Sequence, residues 1–180
     1  MSPYEVIDKY YRPGSKLRDI LVRHSERVAE KALAVAERAA HLNPDRRFIR
    51  EAALLHDIGI FLTRKPEIAC RGTRRYILHG LLGRRILEKE GLPAHARVCE
   101  RHVGAGITAK EAREHGFPVP WRDMAPVSLE EKIICYADKF FSKSPGKNDR
   151  EEKMDDIVKE LKGHGPGKAE RFLEWAQIFE

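Results

Sequence analysis

Cysteine is scarce in this chain of 180 residues, which has only three: Cys70, Cys99 and Cys135. They lie far apart and no two have the close spacing of a zinc ribbon, so the sequence supports neither that structure nor a disulfide framework. Cys99 and Cys135 stand among apolar neighbours, and we expect both to be small core residues.

Long apolar runs are also missing. No stretch approaches the ~18 to 20 apolar residues that a membrane-spanning helix needs. Residues 1–5 lack the basic and apolar segments of a secretory signal, so we expect a cytoplasmic protein without a membrane partner. The length fits one domain with a substantial core, and we predict a single domain over 1–180.

Aromatic residues make up 8% of the chain, whereas its 34 Lys and Arg against 28 Asp and Glu give a net charge of +6. Excess positive charge attracts anionic ligands. A groove for single-stranded nucleic acid would interleave aromatic side chains with the basic ones, and that pattern is absent. The composition therefore favours a small phosphate-bearing substrate over a nucleic acid. It leaves a homo-oligomer possible.

Strand signals are nearly absent, and apolar residues recur with the period of a helix. Ser2, Ser15, Thr108 and Ser128 are expected helix caps, the last with Glu131 in a capping box, and Asn43-Pro44 is expected to cap a further helix. We predict an all-α bundle with a metal-binding core over about 16–143 and a C-terminal helical pair over about 149–179. The expected helices span about 3–11, 15–41, 44–58, 75–90, 94–103, 108–116 and 128–143, with irregular segments at 62–74, 116–127 and 144–149.

Polar residues that can ionise interrupt the apolar face of five of these helices. Burying such groups without partners costs several kcal/mol each. One buried histidine could simply bond to a backbone carbonyl, but five helices that each turn such a group inward are better explained by a shared cation. The pattern predicts a metal centre formed by His24, His56, His79, His102 and Asp138.

Asp57, next to His56, adds a second carboxylate to four imidazoles. This mixture of nitrogen and oxygen ligands suits Fe, Mn, Zn, Co or Ni better than Mg or Ca. Six protein ligands are more than one catalytic metal would take while keeping room for water. Two metals bridged by one carboxylate use the set more economically.

The order of these residues resembles the H…HD…D signature of the HD superfamily of metal-dependent phosphohydrolases. The segment Leu54-Leu55-His56-Asp57-Ile58-Gly59 is similar to the family's "LLHDIG" helix end, and Ala137-Asp138-Lys139 is similar to its final "ADK". His79-Gly80 and His102 resemble the two extra histidines of the members with two metals. The resemblance covers residues 24 to 139 and implies a helical bundle with the metals at its centre.

The resemblance also implies roles for these residues. His24, His56, Asp57 and Asp138 would hold one metal, and Asp57 would bridge to a second metal held by His79 and His102. Asp57 and His56 would be the catalytic residues, acting on a water that the metals activate. The implied activity is hydrolysis of a phosphate ester or anhydride, and of a nucleotide in particular.

Among members with two metals, the chain resembles bacterial HD hydrolases of dinucleoside polyphosphates. Those enzymes often carry a lysine where this chain has Ile60, and Arg64, Lys65, Arg74 and Arg75 are the candidates to replace it. The candidates to bind the substrate phosphate are Arg27, Arg74, Arg75 and Lys139, although each is equally compatible with a solvated helix face. His95 and His115 are weaker candidates for substrate contact, and His41 and His164 are expected at helix ends or in loops.

Two other functions are compatible with the same ligand set. Di-iron oxygenases with the HD fold use four histidines and two aspartates to activate O₂. A non-catalytic module could instead use the metals to bind a nucleotide and signal to a partner. Activity with zinc or cobalt under nitrogen would exclude the first, and turnover that an Asp57→Asn variant loses would exclude the second.

Overall fold

The computed structural model describes residues 2–147 and 150–180, and α-helices dominate it, as predicted. Met1, Asn148 and Asp149 lie outside the described residues, so the predicted polar break at 144–149 is described only at 144–147, where the chain turns. The helices are α1 Pro3–Tyr10, α2 Lys16–Arg38, α3 Arg46–Leu55, α4 His79–Lys89, α5 Pro93–Arg101, α6 Ala109–Glu114, α7 Leu129–Asp138, α8 Met154–Gly163 and α9 Pro166–Phe179.

Four helices begin where the caps predict. The hydroxyls of Ser2 and Ser15 accept hydrogen bonds from backbone amides in the first turns of α1 and α2. Thr108 and Ser128 each form a complete capping box at α6 and α7. These side chains satisfy amides that have no partner within the helix, which is why the helix starts could be predicted.

The predicted cap at Asn43-Pro44 is wrong. Asp45 caps α3 instead, with its carboxylate 2.9 Å from the amide of Phe48. Helix α2 ends at Arg38, before His41, and passes into a short 3₁₀ turn at Ala40–Leu42, after which Asn43 has a left-handed backbone conformation (φ 54°). The left-handed residue prevents the backbone from continuing into a helix.

The end of α7 also differs from the prediction. The helix stops at Asp138 instead of reaching Lys143, and the next three amides bond to carbonyls three residues back, from Lys139 to Tyr136, Phe140 to Ala137 and Phe141 to Asp138. Hydrogen bonds to the third residue back are those of a 3₁₀-helix, which often forms the tighter last turn of an α-helix. Residues 139–143 consequently leave the helix axis.

The segment at 62–74 is more ordered than predicted. It contains a short antiparallel ribbon of β1, Arg64–Lys65, and β2, Cys70–Arg71, in which Arg64 pairs with Arg71. A 3₁₀ turn at Pro66–Ile68 and a left-handed Ala69 (φ 64°) connect the two strands. Two-residue strands are too short to show an alternating pattern in the sequence.

Two large apolar clusters form the core, and the polar candidate residues lie where they meet. Helix α2 packs against α3 and α7, α4 packs against α5, and α8 packs against α9. Along α2, Leu21 belongs to one cluster and Val28 to the other, and His24 lies between them. Throughout the described chain, every helix is too short or too polar to cross a membrane.

Candidate metal centre

The six predicted ligands meet in the interior, and most of them stand at helix ends. His24 is in the middle of α2, His56 is the C-cap of α3 and Asp57 follows it. His79 begins α4, His102 is the C-cap of α5 and Asp138 ends α7. All six side chains are buried. The structure thus brings together residues from five helices, as their positions on the apolar faces predict.

The first group of ligands surrounds one point. The Nε2 atom of His24 lies 3.3 Å from Nε2 of His56, 3.0 Å from Oδ1 of Asp138 and 3.3 Å from Oδ2 of Asp57. His56 Nε2 lies 3.2 Å from Asp57 Oδ2 and 3.3 Å from Asp138 Oδ1. Two ligands bound at ~2.1 Å and at right angles are about 3.0 Å apart, so these atoms fit around a single transition-metal ion.

The second group uses the other oxygen of Asp57. Asp57 Oδ1 lies 3.3 Å from Nε2 of His79 and 3.4 Å from Nε2 of His102, and the two histidine nitrogens are 3.0 Å apart. Neither oxygen of Asp57 has a hydrogen-bond partner of good geometry, although both are buried. A buried carboxylate needs compensating positive charge, and each oxygen of Asp57 lies near a different pair of histidines.

Three of the histidines have their tautomer fixed by the backbone. The Nδ1 atoms of His56, His79 and His102 lie 2.6 to 2.7 Å from the carbonyls of Ala53, Tyr76 and Cys99, each three residues earlier. A carbonyl only accepts, so Nδ1 carries the proton and the lone pair of Nε2 points to the centre in the neutral ring. The carbonyls lie in the last turns of helices, where helical partners run out, and that of Tyr76 accepts the His79 amide as well. This is the usual support for a metal-bound histidine.

Cations keep the two aspartates ionised. Burial alone would raise the pKa of Asp57, but the Lys143 ammonium, 2.5 Å from its Oδ2, and His56 hold that pKa well below its usual value. Burial likewise opposes ionisation of Asp138, but Lys139, 2.7 Å from its Oδ2, acts together with His24 and His56 to hold the pKa of Asp138 well below its usual value. Both carboxylates are therefore available as anionic ligands at neutral pH.

The histidines do not share one protonation behaviour. Burial lowers the pKa of His79 to about 3 and also lowers that of His102. Burial acts in the same direction on His56, but Asp57 and Asp138 outweigh it and raise the pKa of His56 to about 9. In protein without metal, His56 is therefore protonated and must lose its proton before it can bind a metal.

Gly59 is required by packing and not by a turn. Its φ of −84° is open to any residue. A Cβ atom there would lie 2.3 Å from the carbonyl oxygen of His79 and 2.5 Å from the amide nitrogen of Gly83. The glycine of the "HDIG" segment therefore lets the start of α4, and with it His79, approach the residues after Asp57.

A cleft of about 410 Å³ opens beside the centre, with His79, His102 and Asp138 in its wall. Basic and apolar side chains line the rest of it. The lysines are Lys65, Lys139, Lys143, Lys147 and Lys168. Its volume is within the range of small-molecule binding sites.

Of the predicted phosphate-binding residues, only Lys139 lines this cleft. Arg27 lines a separate small crevice beside His24, where its guanidinium lies 4.9 Å from the centre of the Phe141 ring. Arg74 and Arg75 are absent from the cleft wall and exposed.

The cleft wall contains other lysines, which were not proposed from the sequence as phosphate-binding residues. Lys143 is the clearest case, because its ammonium lies 2.5 Å from Asp57 Oδ2 and 3.1 Å from His24 Nε2. Lys65, one of the candidates to replace the lysine absent at position 60, does line the cleft, and Ile60 itself is fully buried. His164, expected only at a helix end, also lines the cleft, whereas His95 and His115 do not.

Comparison with known proteins gives the family. The HD domain family matches residues 21–142, which include all six candidate ligands. The chain therefore belongs to the HD domain family. Helices α8 and α9 lie beyond the matched residues.

Three proteins are similar in sequence to this chain, and two of them carry the same name. The chain is 38% identical over 125 residues to a tRNA (cytidine(56)-2'-O)-methyltransferase of Picrophilus torridus and 31% identical over 160 residues to that of Thermoplasma volcanium. These alignments cover 69% and 88% of this chain but only 32% and 40% of the methyltransferases. It is also 35% identical over 147 residues to an uncharacterised protein of Methanocaldococcus jannaschii, covering 76% of each chain.

Among solved structures, the HD domain of the L. monocytogenes phosphodiesterase PgpH has a similar fold. In its complex with cyclic-di-AMP it matches with a TM-score of 0.55 and 17% identity, over 95% of this chain and 92% of that one. Without that ligand it matches with a TM-score of 0.54 and 20% identity. Because the identity is so low, this similarity establishes the all-α HD fold and nothing about activity.

Proposed function

We propose that this protein is a metal-dependent phosphohydrolase that cleaves a phosphate ester or anhydride of a nucleotide. The observation that carries the proposal is the division of the buried ligands into two groups that share Asp57, next to a cleft lined by lysines. His24, His56, Asp57 and Asp138 would hold one ion, and Asp57, His79 and His102 a second. Fe, Mn, Zn, Co and Ni suit this ligand set.

The metals, when bound, would supply a water acidified toward neutral pH and positive charge for the phosphoryl oxygens. The chain's own residues have complementary tasks. His79 and His102 keep a lone pair on Nε2 because their Nδ1 protons are donated to carbonyls. Asp57 orients the nucleophile, and the ammonium groups of Lys139 and Lys143 attract the anionic substrate to the same end of the cleft.

A nucleotide is the favoured substrate class because the cleft combines cations with apolar surface. Its wall includes Ile107, Phe117 and Leu161, which can contact a base or sugar while the lysines bind phosphate. The HD domain of PgpH, with the same fold, has been crystallised with a cyclic dinucleotide. Two relatives carry the name of a tRNA methyltransferase, so tRNA belongs among the substrates tested.

The test is a phosphatase panel with purified protein reconstituted with Mn, Fe, Co or Zn. Mononucleotides, linear and cyclic dinucleotides and intact tRNA would be incubated with wild-type protein and with Asp57→Asn. We expect release of phosphate or nucleotide from at least one class, and its loss in the variant. Absence of turnover by folded protein that demonstrably contains metal would refute the proposal. Turnover with zinc under nitrogen would separate hydrolysis from the chemistry of a di-iron oxygenase.

A further inference from the structure

The far wall of the cleft is built by helices outside the residues that match the family. Helix α8 contributes Ile157, Glu160 and Leu161, and α9 contributes Lys168. The six candidate metal ligands all lie within residues 21–142. The wall formed by α8 and α9 lies outside those residues. Under the proposed function, this wall would contact the part of the substrate that does not react.

Lys168 is the unusual member of this wall, because it is a buried cation without a carboxylate partner. Its side chain is only 3% exposed. Within the described part of the chain, its ammonium makes one hydrogen bond, to the carbonyl of Gly106 at 2.8 Å, and no ion pair. The nearby carboxylate of Glu111 is engaged by Arg171 at 2.9 and 3.0 Å.

The other lysines of the cleft have different partners. Lys139 and Lys143 pair with the candidate ligands Asp138 and Asp57. Lys147 is 3.9 Å from Glu152, and Lys65 lies over the ring of Tyr76. A lysine ammonium has three N–H donors, so one carbonyl leaves Lys168 able to bind an anion. Burial lowers its pKa to about 8, which still leaves most of it charged at neutral pH.

The position of Lys168 is fixed by the loop that follows His102. Arg171, one turn further along α9, donates to the carbonyls of Ala105 and Gly106 at 2.9 and 3.1 Å. Gly104, with a φ of +57°, leaves room for the ammonium, because a Cβ atom there would lie 3.2 Å from it. The cation is therefore held at a defined place before any ligand arrives.

Apolar surface accompanies Lys168 in the cleft wall. Val103, Ile107, Phe117 and Leu161 line the cleft together with the lysines. We propose that Lys168 binds a second phosphate group of the substrate, separate from the one that reacts at the metal centre, so that the cleft prefers a nucleotide with two separated phosphates. This inference rests on the proposed function, since it assumes that the reacting phosphate lies at the metals.

The test compares affinities for three ligands by isothermal titration calorimetry, using zinc-loaded full-length protein. The ligands are adenosine 5′-monophosphate, ADP and adenosine 3′,5′-bisphosphate. The proteins are wild type, Lys168→Met, Lys168→Arg and the control Lys162→Met, which alters an exposed lysine at the end of α8 that is not in the cleft wall. Only the bisphosphate carries two phosphates on separate positions of the sugar.

We expect wild-type protein to bind the bisphosphate more tightly than either other ligand. One charge-assisted contact predicts that Lys168→Met weakens bisphosphate binding roughly 10- to 100-fold. Affinity for the monophosphate should stay unchanged, Lys168→Arg should retain much of the preference, and Lys162→Met should behave as wild type. The ratio of the two affinities separates a phosphate contact from general damage to the loop after His102, because such damage would weaken both ligands alike.

Three results would overturn the inference. The first is equal weakening of both ligands by Lys168→Met, and the second is no change in either. The third is wild-type protein that binds the bisphosphate no better than ADP, because affinity would then depend on the total charge of the ligand. This third result can be obtained even if the methionine variant fails to fold. Because binding is measured directly, the two failures can be told apart: a preference for the bisphosphate without hydrolysis of any nucleotide would support the phosphate contact at Lys168 while it refutes the proposed function.

Discussion

Replacing Lys143 with methionine should destabilise the protein strongly when metal is removed and only slightly when metal is bound. The Lys143 ammonium is 2.5 Å from Asp57 Oδ2, and their side chains are 11% and 0% exposed. Removing one partner of a buried ion pair costs ~3 to 5 kcal/mol, because the other charge stays buried without compensation. An unfolding entropy of ~2.1 cal/mol/K per residue gives about 0.4 kcal/mol/K for this chain, and hence a fall in Tm of about 8 to 13 °C.

Bound metal changes this result because it would supply positive charge to the same carboxylate. We therefore expect the variant's Tm to fall by less than about 3 °C in saturating zinc, which is about 1 kcal/mol on the same scale. Scanning calorimetry of both proteins, with EDTA and with zinc, measures the difference. Lys147→Met is the matched control, since its ammonium is 3.9 Å from Glu152 and its side chain is 56% exposed. An equal loss of stability with and without metal would refute the reasoning.

Two further predictions concern the centre, and a third concerns the buried ion pair of Arg84 on α4 with Glu100 on α5. Gly59→Ala should lower both metal content and stability, the latter by ~1 to 3 kcal/mol, because its Cβ would collide with the His79 backbone. In EDTA, Tm should fall between pH 6.5 and 9, because the pKa of His56 is raised from 6.5 to about 9 and its stabilising charge is complete below that window and lost through it. Glu100→Gln should cost ~1.5 to 3 kcal/mol in urea denaturation, since the buried carboxylate accepts two hydrogen bonds from Arg84.

Each of these has its own control. Gly163→Ala adds a methyl group where no atom lies within 4 Å, so metal content should not change. The fall in Tm with pH should be absent in His56→Ala, and a wild-type Tm that stays flat in EDTA would contradict the stated charge of His56. Glu88→Gln removes the exposed partner of Arg84 and should change stability by less than ~0.5 kcal/mol. A similar loss in both glutamate variants would contradict the role of burial.

The meeting of the six candidate ligands in the interior could be predicted from the sequence because the pattern that indicates it is local. His24 and Asp138 interrupt apolar faces with helical spacing, and such interruptions are visible along a single helix. The helix starts were predictable for the same reason, since a cap and its amide partner lie within three residues. Asn43 and Asp45 are both residue types that can cap a helix, and which of them caps α3 depends on backbone conformation. The prediction failed there because the sequence does not show that conformation.

Lys143 could not be found in this way. If α7 continued to residue 143, five residues at ~100° each would turn that side chain roughly 140° away from Asp138. Its approach to the centre depends on the tight turn at residues 139–143, which no periodicity reveals. Lys168 was missed because its place in the cleft wall depends on how α9 packs against the loop after His102, a contact between distant parts of the chain.

The distance along the chain between its first and last ligands affects how the protein is made. His24 and Asp138 are 114 residues apart, yet their side chains lie 3.0 Å from each other. A ribosome must therefore deliver α7 before the group around His24 is complete, whereas the group of Asp57, His79 and His102 is complete as soon as the residues after α5 have been made. Under the proposed function, the ion held around His24 is consequently the later of the two to find a complete set of ligands during synthesis.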